Sequence, residues 1–156
     1  MLEIVIPGDT TLGLQHLVLD YNGTLARDGE LLAGVKPRLD DLSRHLDIHV
    51  LTADTFGKAR TDLADVPCDL TVLPAEDQAA GKLRYVERLD PSKVVYIGNG
   101  RNDRLALEVA ALAIAVIQKE GTSVSTLVVS DVVMPNVLDA LDLLTHPLRL
   151  IATLRT

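Results

Sequence analysis

The sequence is poor in cysteine and in aromatic residues. Its 156 residues include one cysteine, no tryptophan and only 3% aromatic residues. The single Cys68 can form no internal disulfide and has no partner at the spacing of a zinc site, which is consistent with a reducing compartment and a cytoplasmic protein. We expect Cys68 to be a small, half-buried apolar side chain in an aliphatic protein. The four histidines also fall at no metal-binding spacing, and we expect each to be structural or solvated: His16, His45, His49 and His146.

The sequence also lacks an excess of positive charge and any long apolar run. Fifteen Lys and Arg residues stand against 22 Asp and Glu residues, which gives a formal net charge of -7. Nucleic-acid and anionic membrane surfaces need clustered Lys and Arg, so we expect neither partner. The apolar run at the N-terminus is far shorter than the roughly 20 residues of a membrane span, and it has no basic segment of a signal peptide before it.

Short apolar strands alternate along the chain with amphipathic helical segments. Hydrophobic residues make up 47% of the sequence, and a chain of 156 residues suits one domain that buries roughly 70% of its unfolded surface. The pattern predicts a single α/β domain over residues 1–156, a three-layer sandwich around a mostly parallel, Rossmann-like sheet. The predicted strands are residues 2–6, 14–20, 47–51, 69–73, 93–97, 112–117 and 127–133, the first two forming a hairpin, and the predicted helices are residues 35–46, 55–63, 76–89, the segment after Asp103, 136–144 and a last helix from Pro147.

One of these strands ends in a carboxylate and then breaks into a loop that contains glycine. Residues 17–25 read Leu-Val-Leu-Asp-Tyr-Asn-Gly-Thr-Leu, which predicts a buried strand with Asp20 at its carboxyl end. Open parallel sheets bind ligands at that end of their strands. Gly23 allows a sharp turn there, and Thr24 adds a hydroxyl beside the carboxylate. The loop therefore has the features of a binding or catalytic site.

Further polar residues follow other predicted strands or lie early in a predicted helix. Thr52 lies at a strand tip ahead of a helix, where a hydroxyl suits an anion, although a helix cap is an alternative. Lys82 lies early in the helix over residues 76–89, where a solvated lysine is the alternative. Asn99 and Asp103 follow an apolar strand and a glycine turn. Their oxygens are hard ligands of the kind that Mg²⁺ accepts, although a simple Asn-Gly turn is the alternative.

Taken in chain order, these segments resemble the four motifs of the haloacid dehalogenase (HAD) superfamily. Residues 20–25, Asp-Tyr-Asn-Gly-Thr-Leu, resemble the first motif, whose aspartate attacks a phosphoryl group. Thr52 is similar to the hydroxyl residue of the second motif, Lys82 to the lysine of the third, and residues 98–103, Gly-Asn-Gly-Arg-Asn-Asp, to the fourth. The asparagine in the first motif and the Thr-Ala-Asp of the second most resemble the soluble phosphorylation domain of P-type ATPases.

The resemblance implies the HAD-like fold and an open site that uses Mg²⁺. Many HAD enzymes insert a substantial cap domain after the first motif, whereas this chain has only a turn and a helix there. The metal ligands that the resemblance implies are Asp20, the backbone carbonyl of Asn22, Asn99 and Asp103. Because Asn99 replaces the usual aspartate, we expect the metal to bind weakly.

The resemblance also implies the chemistry of the site. Asp20, ionised near neutral pH, is the nucleophile, while Thr52 and Lys82 bind the phosphoryl oxygens. Lys93 is a weaker candidate for this lysine, because it lies at the opposite edge of the sheet. Asn22 stands where most HAD phosphatases have a second aspartate. An amide can neither protonate a leaving group nor take a proton from water, a role worth roughly 10²- to 10⁴-fold in rate.

Two functions are compatible with these residues. The first is a Mg²⁺-dependent phosphohydrolase that acts on a small phosphorylated substrate through an aspartyl-phosphate on Asp20, with slow turnover because of Asn22. Its substrates would be aryl or acyl phosphates or a nucleotide, whose leaving groups depart without acid assistance. The alternative is a non-catalytic HAD-like module that senses phosphate or binds a partner. The sequence leaves open which substrate is used and whether the chain forms a homo-oligomer.

Overall fold

The computed structural model describes residues 1–54 and 57–156. Within this part of the chain, no helix is long and apolar enough to cross a membrane. The strands are β1 (Leu2–Val5), β2 (Thr11–Leu14), β3 (His16–Asp20), β4 (Ala26–Arg27), β5 (Glu30–Leu31), β6 (Asp47–Thr52), β7 (Asp69–Val72), β8 (Val94–Gly98), β9 (Leu112–Val116) and β10 (Val132–Met134). The helices are α1 (Val35–Leu42), α2 (Ala59–Asp62), α3 (Gln78–Arg88), α4 (Arg104–Val109), α5 (Val124–Leu127), α6 (Val137–Thr145) and α7 (Pro147–Leu154).

A six-stranded parallel sheet forms the centre of the molecule, in the order β10-β9-β8-β3-β6-β7. β8 and β9 are continuous apolar runs, as expected of parallel strands that are covered on both faces. β3 lies between β6 and β8, and Leu19 is in register with Val50 on one side and with Ile97 on the other. The strand that carries Asp20 therefore ends in the middle of the carboxyl edge of the sheet.

Helices cover both faces of this sheet. Side chains of a strand alternate between faces, so Leu17 and Leu19 join one apolar cluster and Val18 joins the other. The larger cluster includes residues of α1, α6 and α7, and the smaller one includes residues of α3 and α4. The predicted three-layer α/β sandwich with a parallel sheet is confirmed.

Two short hairpins accompany the central sheet. β1 forms an N-terminal hairpin as predicted, but its partner is β2, which overlaps the predicted strand over residues 14–20 only at Leu14, and β3 begins separately after Gln15. The backbone of Gln15 bonds to Lys93 and Asp47 instead of continuing β2. β4 and β5 form a second hairpin of two residues per strand. Residues 21–46, all of which are described, hold only this hairpin and α1, so the predicted absence of a cap domain after the first motif is confirmed.

The extended run predicted over residues 127–133 is wrong for most of its length. α5 reaches only its first residue, Leu127, residues 128–131 form a turn, and the strand β10 begins at Val132. The N–H groups of Val128 and Ser130 bond back to Val124 and Leu127, which makes this segment a turn, and the buried hydroxyl of Thr126 just before it donates to the carbonyl of Gly100 at 2.7 Å. That polar contact fixes the helix while Val128 stays 75% exposed, so apolar content alone did not predict the local structure.

Helix boundaries also differ from the predictions. α1 ends at Leu42, and the residues that follow turn more tightly, the N–H of Arg44 bonding to Asp41 and that of His45 to Leu42. α3 begins at Gln78 after a 3₁₀ turn. The predicted helix start near Thr55 lies outside the described residues, and α2 begins at Ala59.

Candidate active site

The carboxyl ends of three neighbouring strands meet at one edge of the sheet, and each ends in a polar residue. Asp20 is the last residue of β3, Thr52 is the last of β6, and Asn99 directly follows β8. All three residues are buried. Asp20 is in register with Leu51, so Thr52 lies one residue further along the adjacent strand. The structure therefore brings residues from three of the predicted motifs to one edge.

Lys82 enters this edge from α3. Lysine is almost never fully buried unless it is paired, and the side chain of Lys82 is completely buried. Its Nζ donates to Oδ1 of Asp20 and to Oδ1 of Asp103, both at 2.7 Å, and to Oδ1 of Asn102 at 3.2 Å. An ammonium has three protons, so all of them are used. The alternative of a solvated lysine is wrong.

Asp103 accepts hydrogen bonds at both of its oxygens. Its Oδ1 accepts from Lys82 and from the hydroxyl of Tyr96, each at 2.7 Å. Its Oδ2 accepts from the backbone N–H of Asn99 at 3.1 Å and of Gly100 at 2.8 Å. A carboxylate offers about four acceptor positions, so four donors saturate it. Asp103 thus holds both the lysine and the loop after β8.

Sequence reasoning missed Tyr96. Its ring packs in the smaller apolar cluster, and its hydroxyl reaches Asp103. A tyrosine within a run of Val and Ile that is buried on both faces needs a partner for its hydroxyl. That requirement is the signal in the sequence that would have identified it.

Thr24 connects the loop after β3 with the loop after β8. Its hydroxyl oxygen lies 3.3 Å from Oδ2 of Asp20 and 3.3 Å from Oδ1 of Asn99, and its one proton can serve only one of them at a time. Nδ2 of Asn99 donates to the carbonyl of Gly121 at 2.9 Å. Gly23, at φ 82°, permits this approach, because a Cβ there would lie 2.5 Å from Nδ2 of Asn99. Two hard oxygens, Oδ2 of Asp20 and Oδ1 of Asn99, therefore lie next to the Thr24 hydroxyl.

Two polar groups near this edge have hydrogen-bonding capacity left. Oδ1 of Asn22 is buried and accepts no hydrogen bond from the part of the chain that the structure describes. Such atoms are rare in folded proteins. Oγ1 of Thr52 accepts the backbone N–H of Asp54 at 2.8 Å, and its own proton has no acceptor among residues 1–54 and 57–156. The backbone N–H of Ala59, the first residue of α2, donates to the carboxylate of Asp54 and not to Thr52.

The buried charged groups of this edge shift one another's pKa. Burial, reinforced by the charge of Asp103, raises the pKa of Asp20 to about 7, against the opposing effects of Lys82 and Thr24. Burial thus favours the protonated form of Asp20, whereas the Lys82 ammonium at 2.7 Å favours the carboxylate, so its ionisation near neutral pH stays a prediction. Burial alone would lower the pKa of Lys82, but the two carboxylates raise it above its usual range. Lys82 thus stays charged.

Gln118, which sequence reasoning also missed, holds the loop after Asp20. Its Nε2 donates to the carbonyls of Gly23 at 2.9 Å and of Thr24 at 2.8 Å, and its Oε1 accepts the N–H of Val137 at 2.7 Å. The loop is thereby tied to the end of β9 and the start of α6. A cleft of about 480 Å³ lies beside it, between the β4–β5 hairpin and the loops after β9 and β10. No pattern in the sequence marks this glutamine.

Other titratable residues lie away from this edge. Lys93 comes just before β8, at the amino end of the strand, and pairs with Asp90 at 3.2 Å, as expected of the weaker candidate. His16 and His49 also lie towards the amino end of the sheet. Nδ1 of His16 is 3.2 Å from Nε2 of His49, whose Nδ1 is 3.0 Å from the hydroxyl of Tyr85. These contacts are compatible with the expectation that both are structural or solvated.

The chain is similar to one group of known proteins in sequence and to another in fold. No protein-family model matches the chain. Over 78 residues the chain is 46% identical to an uncharacterized protein of Methanocaldococcus jannaschii, a match that covers 47% of this chain and 84% of that protein.

Solved structures resemble most of the fold. The crystal structure of 3-deoxy-D-manno-octulosonate 8-phosphate phosphatase from Moraxella catarrhalis, in complex with magnesium, phosphate and a KDO molecule, matches with a TM-score of 0.71 at 15% identity. That match covers 92% of this chain and 95% of the phosphatase chain. The catalytic domain of the CPx-ATPase CopB-B matches with a TM-score of 0.55 at 28% identity, over 78% of this chain and 46% of that one.

Proposed function

Because this chain has the HAD-like fold and belongs to the same family as the Methanocaldococcus protein, we propose that it is a Mg²⁺-dependent phosphohydrolase acting through an aspartyl-phosphate on Asp20. The observation that carries the proposal is the completely buried ammonium of Lys82, 2.7 Å from both Asp20 and Asp103. Buried charges are costly to a fold, so their presence at a ligand-binding edge favours a chemical role. The match to a phosphatase solved with magnesium and phosphate supports the same reaction class.

The oxygens at this edge fit Mg²⁺. Oδ2 of Asp20 and Oδ1 of Asn99 lie on either side of the Thr24 hydroxyl, and the buried Oδ1 of Asn22 has no donor in the described part of the chain. We assign Asp20 and Asn99 as metal-holding residues and add the backbone carbonyl of Asn22 because the family resemblance implies it, all of them hard oxygens. When bound, the ion would offset the repulsion between Asp20 and an anionic phosphoryl group. We expect weak affinity because Asn99 supplies a neutral amide where the resemblance implies a carboxylate.

We assign Asp103 a role other than the metal ligand that the resemblance implies. Its four acceptor positions are occupied, and a metal ion at Asp103 would leave donors such as Tyr96 and the N–H of Gly100 without partners. Unsatisfied buried donors cost about 1–3 kcal/mol each. In our proposal Asp103 holds Lys82 in position instead.

The first chemical step is attack by the Asp20 carboxylate on phosphorus. A P–O bond forms to Asp20, the P–O bond to the leaving group breaks, and its electron pair departs with the leaving oxygen. Two donors are available to the phosphoryl oxygens. One is the proton of Thr52, and the other is the Lys82 proton that bonds to Asn102 at 3.2 Å, the longest of its three hydrogen bonds.

The second step is attack of water on the phosphorus of the aspartyl-phosphate, which releases inorganic phosphate and restores Asp20. Asn22 can neither protonate the leaving group in the first step nor accept the water proton in the second. The leaving group therefore takes its proton from solvent in the first step, and the attacking water loses its proton to solvent in the second. We expect the substrate to be a small molecule with a good leaving group, namely an aryl or acyl phosphate or a nucleotide.

A substrate panel with Mg²⁺ tests this function. We expect turnover in the wild type and a loss of at least about 10³-fold in Asp20→Asn, because the amide is not a nucleophile. Asp9→Asn, at an exposed turn of the first hairpin, is the matched control and should keep full activity. If no substrate shows turnover that depends on Asp20, the non-catalytic phosphate-sensing or partner-binding module is the better description.

The role of Asn22 can be tested separately by rapid-quench labelling with an activated aryl phosphate. Because nothing activates the attacking water, the aspartyl-phosphate should accumulate in the wild type. Asn22→Asp keeps the size of the side chain and supplies the missing acid and base, so steady-state turnover should rise on the order of 10²-fold. An unlabelled wild type together with no gain in Asn22→Asp would contradict this step.

A further inference from the structure

Three hydrogen bonds run in series from β8 to the nucleophile. The hydroxyl of Tyr96 donates to Oδ1 of Asp103, Lys82 donates to the same oxygen, and Lys82 also donates to Oδ1 of Asp20, each at 2.7 Å. Tyr96, Asp103 and Lys82 are completely buried. With water excluded, each of these groups depends on its protein partners alone.

The two oxygens of Asp103 are held differently. Oδ2 is fixed by two backbone N–H groups, whereas in the described part of the chain Oδ1 is shared between the Tyr96 hydroxyl and the Lys82 ammonium. Without the hydroxyl, Oδ1 would be left to Lys82 alone, and the ammonium would be drawn towards Asp103 and away from Asp20. We propose that Tyr96 is a positioning residue whose hydroxyl shares Oδ1 of Asp103 and so keeps Lys82 aligned on Asp20.

Packing alone does not require this hydroxyl. The ring of Tyr96 belongs to the same apolar cluster as Val18 and Leu107, where a phenylalanine ring would fill the same space. Burial, together with the charges of Asp103 and Asp20, raises the pKa of Tyr96 well above its usual value. The hydroxyl therefore keeps its proton and is a donor throughout the working pH range.

Tyr96→Phe removes the hydroxyl and nothing else, and Tyr85→Phe is its matched control. Tyr85 lies on α3, one turn from Lys82, and its hydroxyl bonds to His49 at 3.0 Å. The direct readout is the ¹H–¹⁵N resonance of the Lys82 ammonium in ¹⁵N-labelled protein, which is observable because the group is shielded from water. We expect this resonance to move in Tyr96→Phe and to stay in place in Tyr85→Phe.

The kinetic readout rests on the proposed function. In Tyr96→Phe we expect kcat to fall on the order of tenfold, the scale typical of groups that orient a direct participant, with KM unchanged within about twofold. Tyr85→Phe should leave both constants unchanged. Thermal unfolding of both variants, measured in parallel, shows whether either is folded less completely at the assay temperature.

The outcomes separate this inference from the proposed function. A Lys82 resonance that stays in place in Tyr96→Phe overturns the inference, and so does an equal shift in Tyr85→Phe, which would indicate general loosening of α3. If no protein turns over substrate but the resonance moves only in Tyr96→Phe, the proposed function fails and the positioning role stands. The wild type gives a test that needs no variant: the Tyr96 hydroxyl proton should give a resonance protected from solvent exchange, and its absence overturns the inference.

Discussion

Both ends of the central sheet bury polar side chains, but they treat charge differently. At the carboxyl end, the Lys82 ammonium and the Asp103 carboxylate are both completely buried and lie 2.7 Å apart. At the amino end, His49 is buried, but Asp69, a carboxylate 3.8 Å from it, has 81% of its side chain exposed. The carboxyl end therefore buries the Lys82 ammonium together with its carboxylate partner. The amino end buries His49 but leaves the carboxylate of Asp69 in water.

The titration of the two ends follows from this difference. Burial, together with His16, lowers the pKa of His49, and the nearby Asp69 and Asp47 do not reverse the shift. At the other end, the carboxylates that are enclosed with Lys82 keep it charged despite burial. Whether a buried group keeps its charge therefore depends on where its partner lies, and not on the depth of burial alone. An enclosed ion pair is the stronger indication of a chemical site.

Removing the enclosed cation should have the largest effect. Lys82→Met leaves two buried carboxylates without a counter-charge, so we expect a loss of about 3–5 kcal/mol in the free energy of unfolding and no measurable turnover. Lys93→Met removes a half-exposed lysine that pairs with Asp90, and it should cost less than about 0.5 kcal/mol. Urea unfolding near pH 7 measures both. Equal losses of unfolding free energy in Lys82→Met and Lys93→Met would contradict the proposed difference in charge burial between the two ends of the sheet.

The stability of the metal-free chain should depend on pH through Asp20. Its pKa in the folded chain is about 7, above the ordinary 3.8, so the folded state binds this proton more tightly than the unfolded state. Stability from this group is therefore greatest below about pH 4 and declines as pH rises to 7, by on the order of a few kcal/mol. Asp20→Asn should lack this decline in urea unfolding from pH 4 to 8. Parallel curves for the two proteins would show that Asp20 titrates normally.

Adding a carboxylate to the charged end should strengthen metal binding. Asn99→Asp gives the site a further negative ligand, so we expect Mg²⁺ to bind about tenfold more tightly, as measured by calorimetry with fluoroberyllate as a phosphate mimic. Asn136→Asp, at the N-cap of α6, adds the same charge outside the proposed ligand set and is the control. If neither protein binds Mg²⁺ with the mimic present, the proposed mechanism loses its metal.

The smallest effect belongs to the amino end. The lowered pKa of His49 means that the folded state binds this proton less readily than the unfolded state, so the stability it contributes is present above about pH 6.5 and is lost as the pH falls. His49→Gln should flatten the acid side of the stability curve, whereas His45→Gln, at an exposed position, should not. An unchanged acid slope in His49→Gln would mean that this histidine is charged in the folded protein.

The sequence predicted what depends on local pattern and chain order. Apolar strands followed by polar tips placed Asp20, Thr52 and Asn99 correctly at one edge, and the resemblance added Lys82. What could not be predicted depends on tertiary contacts. The four hydrogen bonds that saturate Asp103 require the orientation of a tyrosine inside β8, and the raised pKa of Asp20 depends on how deeply it is buried beside a second carboxylate. The helical start of α5 likewise depends on one polar contact made across the fold.

The position of β3 in the sheet also has a kinetic consequence. Neither of its partners is adjacent in the chain, since β6 begins at Asp47 and β8 begins at Val94. Bringing such distant segments together costs loop-closure entropy before their contacts form, and this slows folding. The Lys82 ion pairs join residues from α3, β3 and the turn after β8, so they form once these elements have assembled. Interactions that form after the transition state slow unfolding and leave the folding rate unchanged. We therefore expect the buried ion pairs to slow unfolding more than they change the folding rate.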